Sequence, residues 1–372
     1  MKMDTVINKE AKIIANRISW WRTDFGQAEI DNLREAICKE MVSQGSLTEK
    51  FEKEIARNLG VPFAVVTTSG SVSLLMSLLA IGIKAGDEVI VPNRTWIATA
   101  HAVLFAGAKV VLVDVEKDIP LIDAKQIRKK ITSKTKAIIP VHLNGRSVEM
   151  ETIEQIAKQY NLKIIEDACQ AFYSKNKHGF LGTQSILGCF SLGVTKLIST
   201  GQGGVIVTKD QEFYEKLKLL RNHGVVDNFT DTWNQLGFNF KFTDLLAAVG
   251  LAQINRVKDR VEHVLELYKR YAEALEDLSF LKLIPVDFVE GEIPLYVEAI
   301  SPVREKLCQF LNSSGIQCRP LPPNLDISGY IPNDHRFPNS KLFAEQGFYL
   351  PCGPAQPLAT VEIVRKALKS FR

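Results

Sequence analysis

The chain has 372 residues, 46% hydrophobic and 24% charged, with a mean hydropathy near zero, which excludes a disordered or collagen-like polymer and predicts two unequal domains at ~100–200 residues each. Lys and Arg number 46 against 42 Asp and Glu, a net charge of +4, and no long block of like charges occurs, so a nucleic-acid partner has no support. The longest apolar stretch, Leu74 to Ile83, is interrupted by Ser77 and falls short of the ~20 residues of a membrane-spanning helix, while the charged start lacks the apolar run of a signal peptide.

Six cysteines (Cys38, Cys169, Cys189, Cys308, Cys318 and Cys352) lie far apart without a CxxC pair. That spacing predicts neither a disulfide framework nor a zinc site, and a reducing cytoplasm as the setting. The Asn-x-Ser/Thr triplets at Asn93, Asn228 and Asn312 are then chance matches.

From residue 62 to 207, short apolar runs alternate with helical patterns. PFAVVTT (62–68) reads as a buried strand, and SVSLLMSLLAIGI as a helix with Leu74, Leu75, Leu78 and Leu79 at helical spacing. The Gly86-Asp87 turn leads into the strand EVIVP. WIATAHAVLF is a compact helix stopped by Gly107, and KVVLVDV follows as a strand. KAIIPVHL, KIIEDACQAF, GCFSL and GGVIVT are further strands, with the helix METIEQIAKQY between the first two. This alternation predicts parallel strands joined by crossovers, a doubly wound α/β sheet covered on both faces. Residues 243–278 read as long helical segments. Beyond them lie fewer strands (LKLI, YVEAI, IQCRP), a helix near 302–313 and a last one near 358–370. The boundary falls near residue 255, giving a large domain of residues 1–255 and a smaller α+β domain of residues 256–372.

Ligands of open α/β sheets bind beyond the carboxyl ends of the strands, so the loops there are the ones to read. In Thr67-Thr68-Ser69-Gly70-Ser71, small residues open a helix whose free N–H groups suit an anion. Taken alone, the same residues describe a serine cap and a turn glycine. It is not a P-loop, and GQGG (201–204) is not a dinucleotide fingerprint, because Ile206 stands where the third glycine belongs. The second loop ends a strand with Glu166 and Asp167. Alternation sends the two acids to opposite faces and puts Asp167 with Cys169. A capping aspartate is the plainer account of Asp167. In the third, Lys196 follows the GCFSL strand among Val194, Leu197 and Ile198. An amine in an apolar pocket is a usable nucleophile and proton shuttle, whereas most lysines are solvated. An anion cradle, an acid and a lysine on one side of one sheet are what pyridoxal 5'-phosphate needs.

At this point the sequence resembles the DegT-type sugar-nucleotide aminotransferase family, of fold type I among pyridoxal phosphate enzymes. The segments that carry the likeness are TTSGSVSLLMSLLAIGIKAGDEVIVPNRTWIATA, IIPVHLNG, IIEDACQA, CFSLGVTKLISTGQGG and GFNFKFTDLLAAVGLAQI, with FGQAEIDNLREAI, RNHG and FYLPCGPA extending it over nearly the whole chain. The resemblance implies that Lys196 binds the cofactor covalently and that Asp167 pairs with its ring nitrogen. Trp96 would stack on one face of the ring, Cys169 would lie near the other, and Gln170 near the phenolic oxygen. Gly70, Ser71 and Ser191 would hold the phosphate, joined by Asn239 from a neighbouring subunit, which makes a homodimer the active unit. His223, Lys241 and Trp20 are the candidate substrate residues; a helix C-terminal cap accounts for His223 equally well.

Ser71 stands where the family commonly has threonine, and Cys169 where it has alanine. Lys241 stands where arginine is common, and lysine does not grip a carboxylate or phosphate bidentately. The implied reaction passes an amino group from L-glutamate, through pyridoxamine phosphate, to a nucleotide-linked keto-sugar. TKLISTGQGG resembles members acting at C4, hence a 4-keto-6-deoxy hexose on the way to a surface polysaccharide or a glycosylated metabolite. Amination at C3 and dehydration are the neighbouring alternatives, and Lys196 disfavours the dehydrating branch, which carries histidine there. A non-catalytic regulatory protein that merely binds the cofactor is the alternative from another class.

Overall fold

A computed structural model describes residues 17–227, 232–233, 235–331 and 336–371. The charged start (1–16) and the Asn228 triplet lie outside the described residues. Thirteen strands are described: β1 (Phe63–Thr67), β2 (Glu88–Pro92), β3 (Lys109–Val113), β4 (Thr135–Ile138), β5 (Lys163–Asp167), β6 (Lys175–Asn176), β7 (Gly179–Phe180), β8 (Leu187–Ser191), β9 (Gly204–Thr208), β10 (Lys282–Leu283), β11 (Val297–Ile300), β12 (Arg319–Pro320) and β13 (Gly347–Leu350).

Seven of them form one sheet in the order β1-β9-β8-β5-β4-β2-β3. Neighbours from β8 through β3 run parallel. The sheet is thus mostly parallel, as expected, with one exception: β9 (GVIVT) is antiparallel to both β8 and β1. The reason is the connection. A parallel return needs a crossover, usually a helix, and residues 192–203 contain none, so the chain doubles back beside the strand it has just left.

Alternation along the strands feeds both faces. Val89 and Val91 pack with Leu74, Leu78 and Val103 from the helices Gly70–Ala80 and Ala98–Phe105. Ile90 points the other way, toward Ile153 and Ile156 of the helix Met150–Tyr160. The sheet is therefore covered on both sides, as a doubly wound sheet must be.

The helices Asp244–Asn255 and Val257–Leu275 meet at Arg256. Beyond them a small antiparallel sheet, β10-β11-β13-β12, packs with the helices Arg304–Ser313, Pro338–Gln346 and Thr360–Ser370. The amino-terminal segment joins it: Ile18 bridges to Ile316 and Trp21 to Cys352. The cysteine expectation is corrected in one place. Gly315, at φ 78°, turns the chain back after the helix Arg304–Ser313 and brings Cys318 to Cys308 at a Cα separation of 5.3 Å, as a disulfide. The other four cysteines are free. No helix among the described residues is long and apolar enough to cross a membrane.

Candidate active site

A cavity of about 500 Å³ opens where β1, β5 and β8 end and the small sheet faces them. Its floor is set by the helix that starts at Gly70. Ser69 caps that helix, its Oγ accepting the Val72 N–H at 3.2 Å, which leaves the first backbone N–H groups of the helix free for a ligand. The helix enters at close range: a Cβ on Gly70 would lie 2.9 Å from the Cys169 Sγ and 3.0 Å from the Ser191 Cβ. Only glycine permits three loops to converge so tightly.

Asp167 ends β5 and is buried. Its Oδ2 accepts the Thr99 hydroxyl at 2.8 Å and its Oδ1 accepts the Cys169 N–H at 3.1 Å. Thr99 reaches it because the helix expected from Trp96 begins two residues later, at Ala98, with Thr99 on its inner face. Glu166 does point to the opposite side, into the core. There its carboxylate accepts His142 Nε2 at 3.0 Å and the backbone N–H groups of Gly182, Gln184 and Ser185 at 2.6–2.8 Å. Burial pushes this carboxyl up, but His142 and the backbone donors outweigh it, so the group sits below its ordinary value. The Val148 N–H donates to His142 Nδ1 at 3.2 Å, so the imidazole proton is on Nε2 and points at Glu166.

Lys196 lies in the turn after β8, its N–H donating to the Gly193 carbonyl at 3.1 Å. The apolar enclosure expected around it is corrected: Leu197 and Ile198 turn into the core, whereas Val194 is exposed and Lys196 is half-buried, facing the cavity. Its amine stands 6.0 Å from the centre of the Tyr296 ring. Two straps hold the turn. The Trp21 indole donates to the Val194 carbonyl at 3.1 Å, and the Tyr296 hydroxyl to the Thr195 carbonyl at 3.0 Å. Tyr296 is itself fixed by Asn144, whose Oδ1 accepts the Tyr296 N–H at 2.6 Å and whose own N–H donates to Gln170 Oε1 at 3.0 Å. Burial, then the Asp167 charge, pushes the Cys169 thiol well up.

Of the residues singled out in the sequence, Lys196, Asp167, Gly70, Ser71, Trp96, Cys169, Gln170, Ser191 and Trp20 line this one cavity. Trp96 is 58% exposed there, an unused aromatic face. Asn239, His223 and Lys241 do not line it; they lie together on an exposed strip, where Asn222 bridges Asn239, His223 donates its N–H to the Phe238 carbonyl at 3.2 Å, and Lys241 Nζ reaches Asn222 Oδ1 at 3.3 Å. The sequence reading missed Thr99, Asn144, Tyr296, Arg319 and Tyr349. Thr99 sits three residues past Trp96 in WIATA, at helical spacing, which is a readable signal; the others depend on the small sheet closing over the large one. Among the described residues no cluster of His, Cys, Asp and Glu could hold a metal ion.

The DegT/DnrJ/EryC1/StrS aminotransferase family model matches residues 23–369. GDP-perosamine synthase of Escherichia coli O157:H7 is 37% identical over 331 residues, 88% of this chain and 91% of that protein. UDP-4-amino-4,6-dideoxy-N-acetyl-beta-L-altrosamine transaminase of Campylobacter jejuni (serotype O:23/36, strain 81-176) is 30% identical over 367 residues, 95% of this chain and 97% of that protein. Among solved structures, DesV of S. venezuelae superposes with a TM-score of 0.89 at 27% identity, over 95% of this chain and 98% of that one. With the match running from Thr23 almost to the end of the last helix, and with an acid, a lysine and a helix amino-terminus gathered in one cavity, the chain belongs to the DegT/DnrJ/EryC1/StrS aminotransferase family.

Proposed function

We propose that this enzyme transfers an amino group from L-glutamate to C4 of a nucleotide-linked 4-keto-6-deoxy hexose, using pyridoxal 5'-phosphate, as a cytoplasmic homodimer. The observation that carries the reading is the convergence of Lys196, Asp167 and the Gly70–Ser71 helix start on one cavity. The residues present fit the cofactor. The close approach of Gly70 to Cys169 and Ser191 leaves no room for a side chain at the helix start, where free backbone N–H groups and the cavity-lining Ser71 and Ser191 would meet the phosphate, and Asp167 offers a buried acid oriented by Thr99.

When bound, pyridoxal 5'-phosphate supplies an electron sink for the carbon that loses its proton. Lys196 carries protons: its amine, which makes no hydrogen bond among the described residues, takes the proton from the donor's α-carbon and returns one to the sugar carbon being aminated. Asp167 holds the proton on the ring nitrogen and cannot swing away, because Thr99 and the Cys169 N–H fix both of its oxygens. Trp96 would cover one side of the ring and Cys169 would lie near the other, its thiol kept neutral by burial and by Asp167. Gln170, held by the Asn144 N–H, would lie near the phenolic oxygen. The C4 choice is supported by relatives named for 4-amino-4,6-dideoxy sugars and perosamine. The dimer is supported by the exposed apolar strip of Val226, Leu236 and Phe238, which carries Asn239, His223 and Lys241 toward a second copy.

The test is spectroscopic. The purified protein is expected to show a visible chromophore that bleaches on adding L-glutamate and returns on adding a nucleotide-linked 4-keto sugar, with a 4-amino product by NMR. Lys196→Ala is expected to lose at least a hundredfold in turnover. A colourless protein after cofactor addition, or a Lys196→Ala variant that turns over normally, defeats the proposal; a 3-amino or a deoxygenated product moves the reaction to C3 or to dehydration.

A further inference from the structure

Residues 142–146, in the IIPVHLNG segment, lie outside the cavity but are bonded to its walls. Asn144 is fully buried, and its backbone is left-handed, φ 56° and ψ 37°, a conformation asparagine tolerates better than most residues. Its side chain has no freedom. The Oδ1 accepts the Tyr296 N–H at 2.6 Å and the Nδ2 donates to the Tyr296 carbonyl at 2.9 Å. An N–H only donates and a carbonyl only accepts, so the two bonds fix which end of the amide is which. One side chain thus pairs with both polar groups of a backbone residue, as a neighbouring strand would.

Two arms run from this residue to groups that face the cavity. The first passes through Tyr296, whose hydroxyl donates to the Thr195 carbonyl at 3.0 Å, next to Lys196. The second is the Asn144 N–H, which donates to Gln170 Oε1 at 3.0 Å. With Oε1 taken as an acceptor, the Nε2 end of Gln170 is the one left to the cavity, where it bonds to no described group. Gln170 therefore offers a donor there, and the backbone of Asn144 dictates it. The loop itself is anchored by other residues. At Gly145, φ 78°, a Cβ would run into the Ile293 carbonyl. Arg146 holds Glu298 at 2.6 Å and the carbonyls of Pro285 and Ile284 at 2.8 and 3.1 Å. Those bonds keep the loop in place when the Asn144 amide is removed.

We propose that Asn144 is a positioning residue for amino-group transfer, acting on Lys196 through Tyr296 and on Gln170 through its own N–H. The inference rests on the aminotransferase reading and goes beyond it by naming what holds two parts of the site in register. The chemistry needs both parts. Lys196 must take a proton from one carbon and return one to another, and a misplacement of about 1 Å in such a group can cost about a hundredfold in rate. A donor from Gln170 favours the charged form of a phenolic oxygen near it, and so sets the pH at which the bound chromophore changes colour. Asn144 bonds both the residue that precedes β11 and the loop that follows β5, so one buried side chain and its backbone tie the two settings together.

The test uses full-length protein, with and without cofactor. Asn144→Gly deletes both bonds to Tyr296 but, because glycine takes a left-handed backbone freely, leaves the N–H to Gln170 in place. Tyr296→Phe deletes the hydroxyl strap alone. Each is expected to lower kcat about tenfold, with the KM for L-glutamate changed by less than about twofold. The double variant should be about as slow as the slower single one, not about a hundredfold slower, because both act along one arm. In the cofactor-free protein, the thermal midpoint should fall in both single variants, and in the double variant by less than the sum. Asn144→Ala loses the same bonds and also disfavours the left-handed backbone, so it misplaces the donor to Gln170. Its colour change should move to higher pH, as should that of Gln170→Leu, because the lost donor had favoured the charged oxygen; Asn144→Gly should keep the wild-type pH. The proposal fails if Asn144→Gly turns over as wild type does, if the double variant shows the product of the two single losses, or if the colour change moves equally in Asn144→Gly and Asn144→Ala. Should Asn144→Ala not fold, Asn144→Gly and Gln170→Leu decide the two arms. A wild type that L-glutamate does not bleach defeats the aminotransferase reading, and the midpoints of the cofactor-free variants then decide the clasp by themselves.

Discussion

Adjacent acids in β5 have opposite fates, and both can be tested singly. Asp167 is oriented by Thr99. Replacing Thr99 with Val keeps the shape but removes the 2.8 Å bond, which costs about 1–3 kcal/mol where a buried acceptor loses its donor. Turnover should fall roughly tenfold, and the cofactor should dissociate more readily in a fluorescence titration; unchanged kinetics would remove Thr99 from the site. Glu166 governs acid stability. Its carboxyl lies below the ordinary 4.5 in the folded protein, so it contributes stability that is fully present above that value and is lost as pH falls through the folded one. Scanning calorimetry should show a midpoint that drops below about pH 4.5, and Glu166→Gln should flatten that acid limb. The glutamine should also lower the midpoint at neutral pH, because its amide meets donors at Gly182 and His142 instead of acceptors. The opposite facing of the two acids was legible from alternation alone. Their partners were not, since Thr99, on a helix, and His142 and Ser185, in loops, are brought to them only by the fold.

Elements were readable where periodicity was strong and lost where tertiary contacts decided. The strands β1 to β5 and the helix Gly70–Ala80 follow from buried runs and leucine spacing. The reversed direction of β9 does not, because nothing in GGVIVT states which way a strand runs; only the helix-free connection before it does. β13, central to the small sheet, is four residues long with a mixed pattern, and it becomes a strand by pairing on both sides with β11 and β12. The lysine's surroundings were not legible for a related reason: Val194, Leu197 and Ile198 all fall within residues 194–198, but a turn sends them to opposite sides. The helix Gly70–Ala80 offers the clearest test at this scale. Gly70→Ala gains helix propensity, under about 1 kcal/mol, and forces a Cβ against Cys169 Sγ at 2.9 Å and Ser191 Cβ at 3.0 Å. Overpacking of that kind costs about 1–3 kcal/mol, so the steric effect should win. A lower thermal midpoint and weaker cofactor binding are expected, and the double variant with Cys169→Ala should regain part of both. If Gly70→Ala matched the wild type, the three loops would not converge as described.

The whole molecule presents an exposed apolar strip that the proposed second copy would cover. One surface strip carries Asn239, His223 and Lys241 with Val226, Leu236 and Phe238, the last three 81%, 92% and 65% exposed. Apolar side chains in such a run are unfavourable in water and mark an interface. A closed two-fold pair would present the same strip on both copies, and each would then lend Asn239 to the cavity of the other. Light scattering should give twice the chain mass of 41.6 kDa. Complementation tests the shared site more sharply. Lys196→Ala removes the amine from its own cavity, and Asn239→Ala removes the side chain that such a pair would lend to the partner's cavity. Each variant alone should be nearly inactive. Mixed in equal amounts and allowed to exchange, half of the dimers contain one copy of each; one of their two sites then bears both lesions and the other neither. Activity should rise to about a quarter of wild type per protomer. If each site were built from one chain, an active Lys196 and an intact Asn239 would never meet in such a mixture, and the activity would stay at the level of the separate variants.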